Sequence, residues 1–329
     1  MLKKLVAAVV FLAIVGFATS QLSPWPSALF YRYFFDKNGV AMNEALARHA
    51  PASVTTRADI SYGAEPLEKL DIYLPAGVDG SARALPTILW IHGGGFLSGD
   101  KSQISNYLKI IAAAGYVVVG INYTLAPAAQ HPTPTRQANA ALAFLRADAG
   151  KLNIDPDRMF LAGDSAGSQI AAQLGIAITE PAFARSIGLV PAIPPVALRG
   201  LVLHCGIYDP ANFKFDGKMG SYLKTLVWSY FGSKDLRVPA MPEQFSIVRN
   251  ITRTMPPLFV TAGNADPALV HSKALVEAAG KVGVSVDTLF FPQDYTPPLQ
   301  HEYQFDLDTA AGQLALQRSL AFIAERSQL

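Results

Sequence analysis

Cysteine is almost missing from this chain: Cys205 is the single one among 329 residues. An intrachain disulfide is therefore excluded, and so is a cysteine-rich metal site. Charge is sparse as well, with 27 Lys and Arg against 25 Asp and Glu, a net of +2, and 16% charged residues in all. No run of lysine or arginine marks a nucleic-acid surface. No internal repeat or low-complexity segment is visible, so solenoid and propeller arrays are set aside. What the chain does have is apolar residues, half of its length. That share suits a large buried core, as one large α/β domain or two small ones. Cys205 itself lies in the apolar run 201–205 and reads as a small core residue.

Residues 1–20 read as an export signal. Lys3 and Lys4 open it, the uncharged apolar run 5–18 follows, and Ala18, Thr19 and Ser20 supply small residues before a cut at Gln21. The run has 14 residues, short of the ~20 that cross a bilayer. The expected location is periplasmic or secreted. An uncleaved N-terminal anchor is the alternative, and it would associate the chain with a membrane. Residues 21–57 read as an N-terminal helical cap segment, with Leu29, Phe30, Tyr33 and Phe34 on one helical face. That face is expected to pack on the domain; the sharper reading makes it a lid or a membrane-facing surface.

Residues 58–329 carry the signals of one domain. Apolar strand patterns fall at 59–63, 67–74, 87–91, 116–123, 159–162, 201–205, 258–261 and 284–291. Helical patterns intervene at 104–114, 135–149, 165–178, 269–282 and 309–326. This alternation predicts an α/β fold, a mostly parallel eight-stranded sheet with helices on both faces. Residues 207–255 break the alternation and carry aromatics such as Tyr208, Phe213, Phe215, Tyr222, Trp228, Tyr230 and Phe231. They read as a helical cap inserted after the sixth strand.

Two glycine motifs concentrate the chemistry. Gly163-Asp164-Ser165-Ala166-Gly167 follows the strand at 159–162, which the turn signal Asp155-Pro156-Asp157 precedes. Ser165 must take a strained backbone at the top of that strand, and flanking glycines let strand and helix close around it. The hydroxyl then faces open space. The Ala166 amide lies at a helix N-terminus, where it can donate to an oxyanion. Alone, these residues could be no more than a capped turn. The second motif, His92-Gly93-Gly94-Gly95 after the strand at 87–91, argues otherwise. Three consecutive glycines are costly in chain entropy, and they make sense where the amides of Gly94 and Gly95 must face a reacting group. His92 and Gly93 are expected to organise the loop, and Asp164 to hydrogen-bond locally at the turn.

Together with Asn122-Tyr123-Thr124-Leu125-Ala126-Pro127, the two motifs resemble the hormone-sensitive-lipase-like branch of the α/β-hydrolases. The resemblance runs from about residue 60 to the C-terminus; the family usually has Arg where this chain has Thr124. It implies an α/β-hydrolase fold with a cap, and a triad in the chain order serine, acid, histidine. Ser165 is then the nucleophile. Three histidines follow it. His204 lies inside a buried strand as a satisfied core residue, and His271 lies on a helical stretch, at its surface or packed beside it. His301 follows the last strand, where the base belongs. The acid belongs after the seventh strand, where Asp266 stands, although Asn264 and Ala268 depart from the family's usual residues. Asp266 could equally cap the next helix. Asp294, seven residues before His301, is the fallback.

The chemistry so implied is acyl transfer to water: a serine carboxylesterase acting on small to medium, partly apolar esters, with no metal and no cofactor. Arylformamidase-like amidases share both glycine motifs, and feruloyl- or acetyl-esterases of carbohydrate esters are further alternatives. A hydrolase fold kept only for binding is the rival from another class, and such proteins typically lose a triad member. The expected partner is a small-molecule ester, not nucleic acid. The sequence carries no signal of oligomeric state.

Overall fold

The computed structural model describes residues 19–238 and 241–328, together with Lys4 and Gly16. Most of the segment read as an export signal lies outside the described residues. Among the described residues no helix is long and apolar enough to cross a membrane.

Eight strands form one sheet: β1 (Thr55–Ser61), β2 (Lys69–Leu74), β3 (Leu85–Ile91), β4 (Val117–Ile121), β5 (Ile154–Asp164), β6 (Leu198–His204), β7 (Leu258–Ala262) and β8 (Val286–Phe290). Their order is β1-β2-β4-β3-β5-β6-β7-β8. β1 and β2 form an antiparallel pair, β2 runs antiparallel to β4, and every other pairing is parallel. All residues of β3, β4 and β7 are buried, as apolar runs without polar alternation require of strands covered on both faces. The helices are α1 (Trp25–Leu46), α2 (Ser105–Ala113), α3 (Thr133–Ala147), α4 (Ala166–Thr179), α5 (Pro181–Ser186), α6 (Gly220–Phe231), α7 (Ile247–Asn250), α8 (Leu269–Lys281) and α9 (Ala310–Ser327). Along β3 successive side chains enter opposite cores. Leu89 and Ile91 join the core shared with α3, α4 and α8, whereas Ile88 and Trp90 join the one shared with α2 and α9. α4 is buried along its whole length, so the element carrying residue 165 at its head is locked between sheet and neighbours.

Three local expectations are corrected. Asp155-Pro156-Asp157 is not a turn before β5 but part of it. The β3–β5 pairing skips from Leu85↔Ile154 to Thr87↔Met159, and such an unpaired bulge accommodates Pro156, which has no N–H to give to a ladder. The boundary at residue 57 falls inside β1, which begins at Thr55 because the β-branched Thr55 and Thr56 pair with Leu74 and Tyr73. The third correction concerns α1. Leu29, Phe30, Tyr33 and Phe34 do not pack on the domain: they are 50%, 58%, 64% and 48% exposed. The packed face carries Tyr31 and Phe35, one turn apart, whose rings each meet Tyr222 at 5.3 Å. Arg32 on the same helix donates to the carbonyls of Leu97 (2.6 Å) and Ala126 (3.0 Å), and Asp36 accepts from the Gly99 amide at 2.9 Å. These polar ties select which aromatic face turns inward, and hydropathy alone could not distinguish the two.

Between β6 and β7, in the stretch read as a cap, lie α6 and α7. Tyr230 of α6 stacks on Phe96 with centroids 4.0 Å apart, which brings this segment down onto the end of the glycine loop.

Candidate active site

β5 ends at Asp164, and α4 begins at Ala166, so Ser165 alone turns the chain. It does so at φ 50° and ψ −117°, a conformation that a residue with a Cβ adopts only under constraint. The constraints are visible. The Ser165 amide donates to His204 O at 2.8 Å, and the Ser168 hydroxyl reaches Gly163 O and His204 O at 2.6 and 2.8 Å. Gly167 faces β3 so closely that a Cβ there would collide with the Ile91 carbonyl and lie 2.6 Å from that of His92.

The second glycine motif meets the first through Asp164. One of its carboxylate oxygens accepts from the Trp90 indole and the other from the Gly93 amide, both at 2.8 Å. Burial and the nearby Glu302 carboxylate push the Asp164 pKa up to about 8, against the pull of those two donors. His92 lies stacked on Tyr123 at 4.4 Å, with Nδ1 2.9 Å from Gly93 O. Beyond it the chain turns through positive φ at Gly94 (96°), Gly95 (60°) and Phe96 (62°). Gly94 O is taken by the amides of Leu97 and Ser98 and by the Ser98 hydroxyl. The amides of Gly94, Gly95 and Ala166 donate to no acceptor among the described residues. Tyr222 of α6 covers the loop, since a Cβ on Gly95 would collide with its hydroxyl.

His301 stands in the loop after β8. Its Nε2 is 3.0 Å from Ser165 Oγ, and its Nδ1 is 2.9 and 3.0 Å from the two Asp266 oxygens. The sequence thus named three residues, from three separate loops, that the fold brings into one hydrogen-bonded relay. Asp266 also accepts the Ala268 amide at 2.7 Å, a tight turn just before α8; it does not cap that helix, whose N-cap is Ala268 with no side-chain bond. The fallback Asp294 is exposed and apart from this relay. His271 is buried rather than on a surface, with Nδ1 3.4 Å from the Asp209 amide. His204 is fully buried but not satisfied: neither ring nitrogen has a partner among the described residues, and the ring stacks on Trp90 at 5.6 Å. Burial pushes its pKa down to about 3, so it remains neutral.

Burial opposes protonation of His301, but the adjoining Cys205 sulfur and the charge and hydrogen bonds of Asp266 hold its pKa well above the ordinary histidine value. A base must be unprotonated. Activity should therefore rise with pH through a midpoint above about 6.5, and Asp266→Asn should move that midpoint down while lowering the rate. A kcat/KM profile still flat at about pH 5 would remove His301 as the titrating group.

Two contributors escaped the sequence reading. Asn264, noted only as a departure, accepts the Leu299 amide at 2.8 Å and donates to Gln293 O and Tyr295 O. It fastens the loop that presents His301. Cys205 is buried as expected, yet it follows β6 at φ 43° and sits at the relay. Donor atoms of Cys205, Asp266 and His301 lie within 4.8 Å of one another, the one such grouping among the described residues that could hold a cation. His301 Nδ1 and the Asp266 carboxylate in that group already satisfy each other. A cleft of about 1600 Å³ opens over the relay, lined by α1, the glycine loop, residues 212–223 and the loops bearing Asp266 and His301.

A family model described as BD-FAE matches residues 70–278. The chain belongs to the BD-FAE family. The matched span takes in both glycine motifs and Asp266 and stops short of His301. An acetyl esterase of Salmonella agona (strain SL483) is 24% identical over 281 residues, 80% of this chain and 78% of that protein. Among solved structures, esterase B of Lactobacillus Rhamnosis superimposes with a TM-score of 0.74 at 23% identity, covering 92% of this chain and 97% of that one. A thermophilic carboxylesterase cloned from a metagenomic library gives 0.72 at 21% identity, covering 93% and 98%. At such identities the structural likeness establishes the fold, and this BD-FAE member has the α/β-hydrolase fold.

Proposed function

We propose that this chain is a serine carboxylesterase that hydrolyses small to medium, partly apolar esters through an acyl-enzyme. The observation that carries the reading is the relay Ser165–His301–Asp266, with 3.0 Å between hydroxyl and imidazole and two contacts between imidazole and carboxylate. His301 takes the Ser165 proton as Oγ attacks the ester carbonyl. Asp266 fixes the tautomer and stabilises the imidazolium. The free amides of Gly94, Gly95 and Ala166 hold the oxyanion, each worth roughly 3 kcal/mol. His301 then protonates the departing alcohol, and water, deprotonated by the same imidazole, releases the acid. BD-FAE membership and the esterase names of the relatives support ester over amide chemistry. The signal-like residues 1–20 support export, with a retained N-terminal anchor as the alternative.

The acetyl esterase relative and the aromatic cover that Tyr222 lays on the glycine loop favour short acyl groups, although the cleft as a whole is wide. Acetyl-to-hexanoyl aryl esters should be hydrolysed faster than emulsified long-chain triglycerides, with no jump in rate at the solubility limit. An assay across an acyl-length series, with a formanilide beside it, checks this. Strong interfacial activation would instead make the exposed aromatic face of α1 a lipid-docking surface. Faster cleavage of the anilide would favour the amidase reading.

A further inference from the structure

We propose that Glu302 sets the charge selectivity of the leaving-group side of the cleft, favouring esters of cationic alcohols over those of anionic ones. The inference rests on the esterase reading and deepens it. Glu302 directly follows His301, and its Oε1 is 3.9 Å from His301 Nε2. That nitrogen is the one facing Ser165, and so the one that returns a proton to the departing alcohol. Whatever leaves must pass beside this carboxylate.

The carboxylate is available to a substrate. It lines the cleft, its side chain is 30% exposed, and it makes no hydrogen bond to another described residue. Among the described residues no lysine or arginine pairs with it. Lys214, Lys218 and Lys273 also line the cleft, but none of them pairs with Glu302, whose one ion-pair contact among the described residues is His301. Seven carboxylates line the cleft. Asp164 has its pKa pushed up to about 8, Asp266 is paired with His301 and Asp308 with Arg48. That leaves Asp100, Asp216, Asp306 and Glu302 against those three lysines, and of these four Glu302 is the one beside His301 Nε2.

The backbone holds the side chain in place at a cost. Glu302 has φ 63° and ψ 25°, the left-handed region where glycine is the easy choice and a Cβ is crowded. The Phe305 amide bonds to Glu302 O at 3.1 Å, and the Asn264 clamp fixes the preceding loop. A glycine would ease this turn, whereas glutamate places a charge at the leaving group.

The test measures kcat/KM for three acetates, the first two of matched size and the third anionic. They are the ester of choline, its uncharged isostere with carbon in place of nitrogen, and the anionic acetoxyacetate. Phenyl acetate serves as reference. The native chain should prefer the cation over the anion, and Glu302→Gln should shrink that preference about five- to tenfold, the size of one unit charge acting over several ångströms at a partly wet site. Glu302→Gly, which also relieves the turn, should lose the same preference and stay folded. An unchanged cation-to-anion ratio in both variants overturns the proposal. So does an equal fall on every ester, which would mark Glu302 as support for His301 only. Failure of the native chain on phenyl acetate would overturn the esterase reading itself, and this inference with it.

Discussion

Replacing Ser165 with alanine should lower kcat/KM on a short aryl ester by about 10⁴-fold or more while leaving the thermal transition in place. Among the described residues the hydroxyl's one side-chain partner is His301 Nε2, on a ring that reaches the open cleft, where water can replace the lost hydrogen bond. Alanine keeps the Cβ that already occupies the φ 50° turn, so the elbow gains no strain. The loss should therefore fall on kcat rather than on folding. A phosphonate that labels active serines should bind the native chain in a one-to-one ratio and leave the variant untouched. A variant retaining more than a few per cent of activity, with folding unchanged, would move the nucleophile elsewhere.

The second large effect is on folding. Gly167→Val should yield insoluble chain or a melting temperature lowered by roughly 10 °C or more. The substituent would meet carbonyl oxygens of Ile91 and His92, and these belong to the end of a central strand that cannot swing aside as a flexible side chain would. A cost of several kcal/mol is a large part of the roughly 5–15 kcal/mol that holds a domain together. Gly150→Ala is the control, because a Cβ there meets nothing within 4 Å. A soluble Gly167→Val chain melting like the control would show that α4 and β3 do not close on each other as described.

Much of this was legible in the sequence, for physical reasons that differ by element. β3, β4 and β7 are continuous apolar runs, and a strand buried on both faces has no other pattern to offer. Ser165 could be named from the pairing of the two glycine motifs, and Asp266 and His301 from the chain order that the family resemblance implies, in the loops after β7 and β8. The face of α1 was not legible: two aromatic stripes compete on one helix, and the choice between them is made by Arg32 and Asp36, which bond to the distant Leu97, Ala126 and Gly99. The bulge at Pro156 was hidden because Asp-Pro-Asp has the same local preference in a turn as at an irregular strand. Asn264 and Cys205 were missed for a common reason. Their roles come from partners 29 or more residues away, and no local periodicity records that.

Asp164 ties β3 to β5. By holding the Trp90 indole and the Gly93 amide at once, it rivets the strand that delivers the glycine loop to the strand that delivers the nucleophile. Neither motif can then open locally while the other stays formed, since the first step of either opening breaks the same buried carboxylate's bonds. On this geometry the two glycine motifs are expected to open together rather than separately. A substitution at Trp90, which lies in the core and not in the cleft lining, would then be felt at Gly93 and at the turn of Ser165 through Asp164.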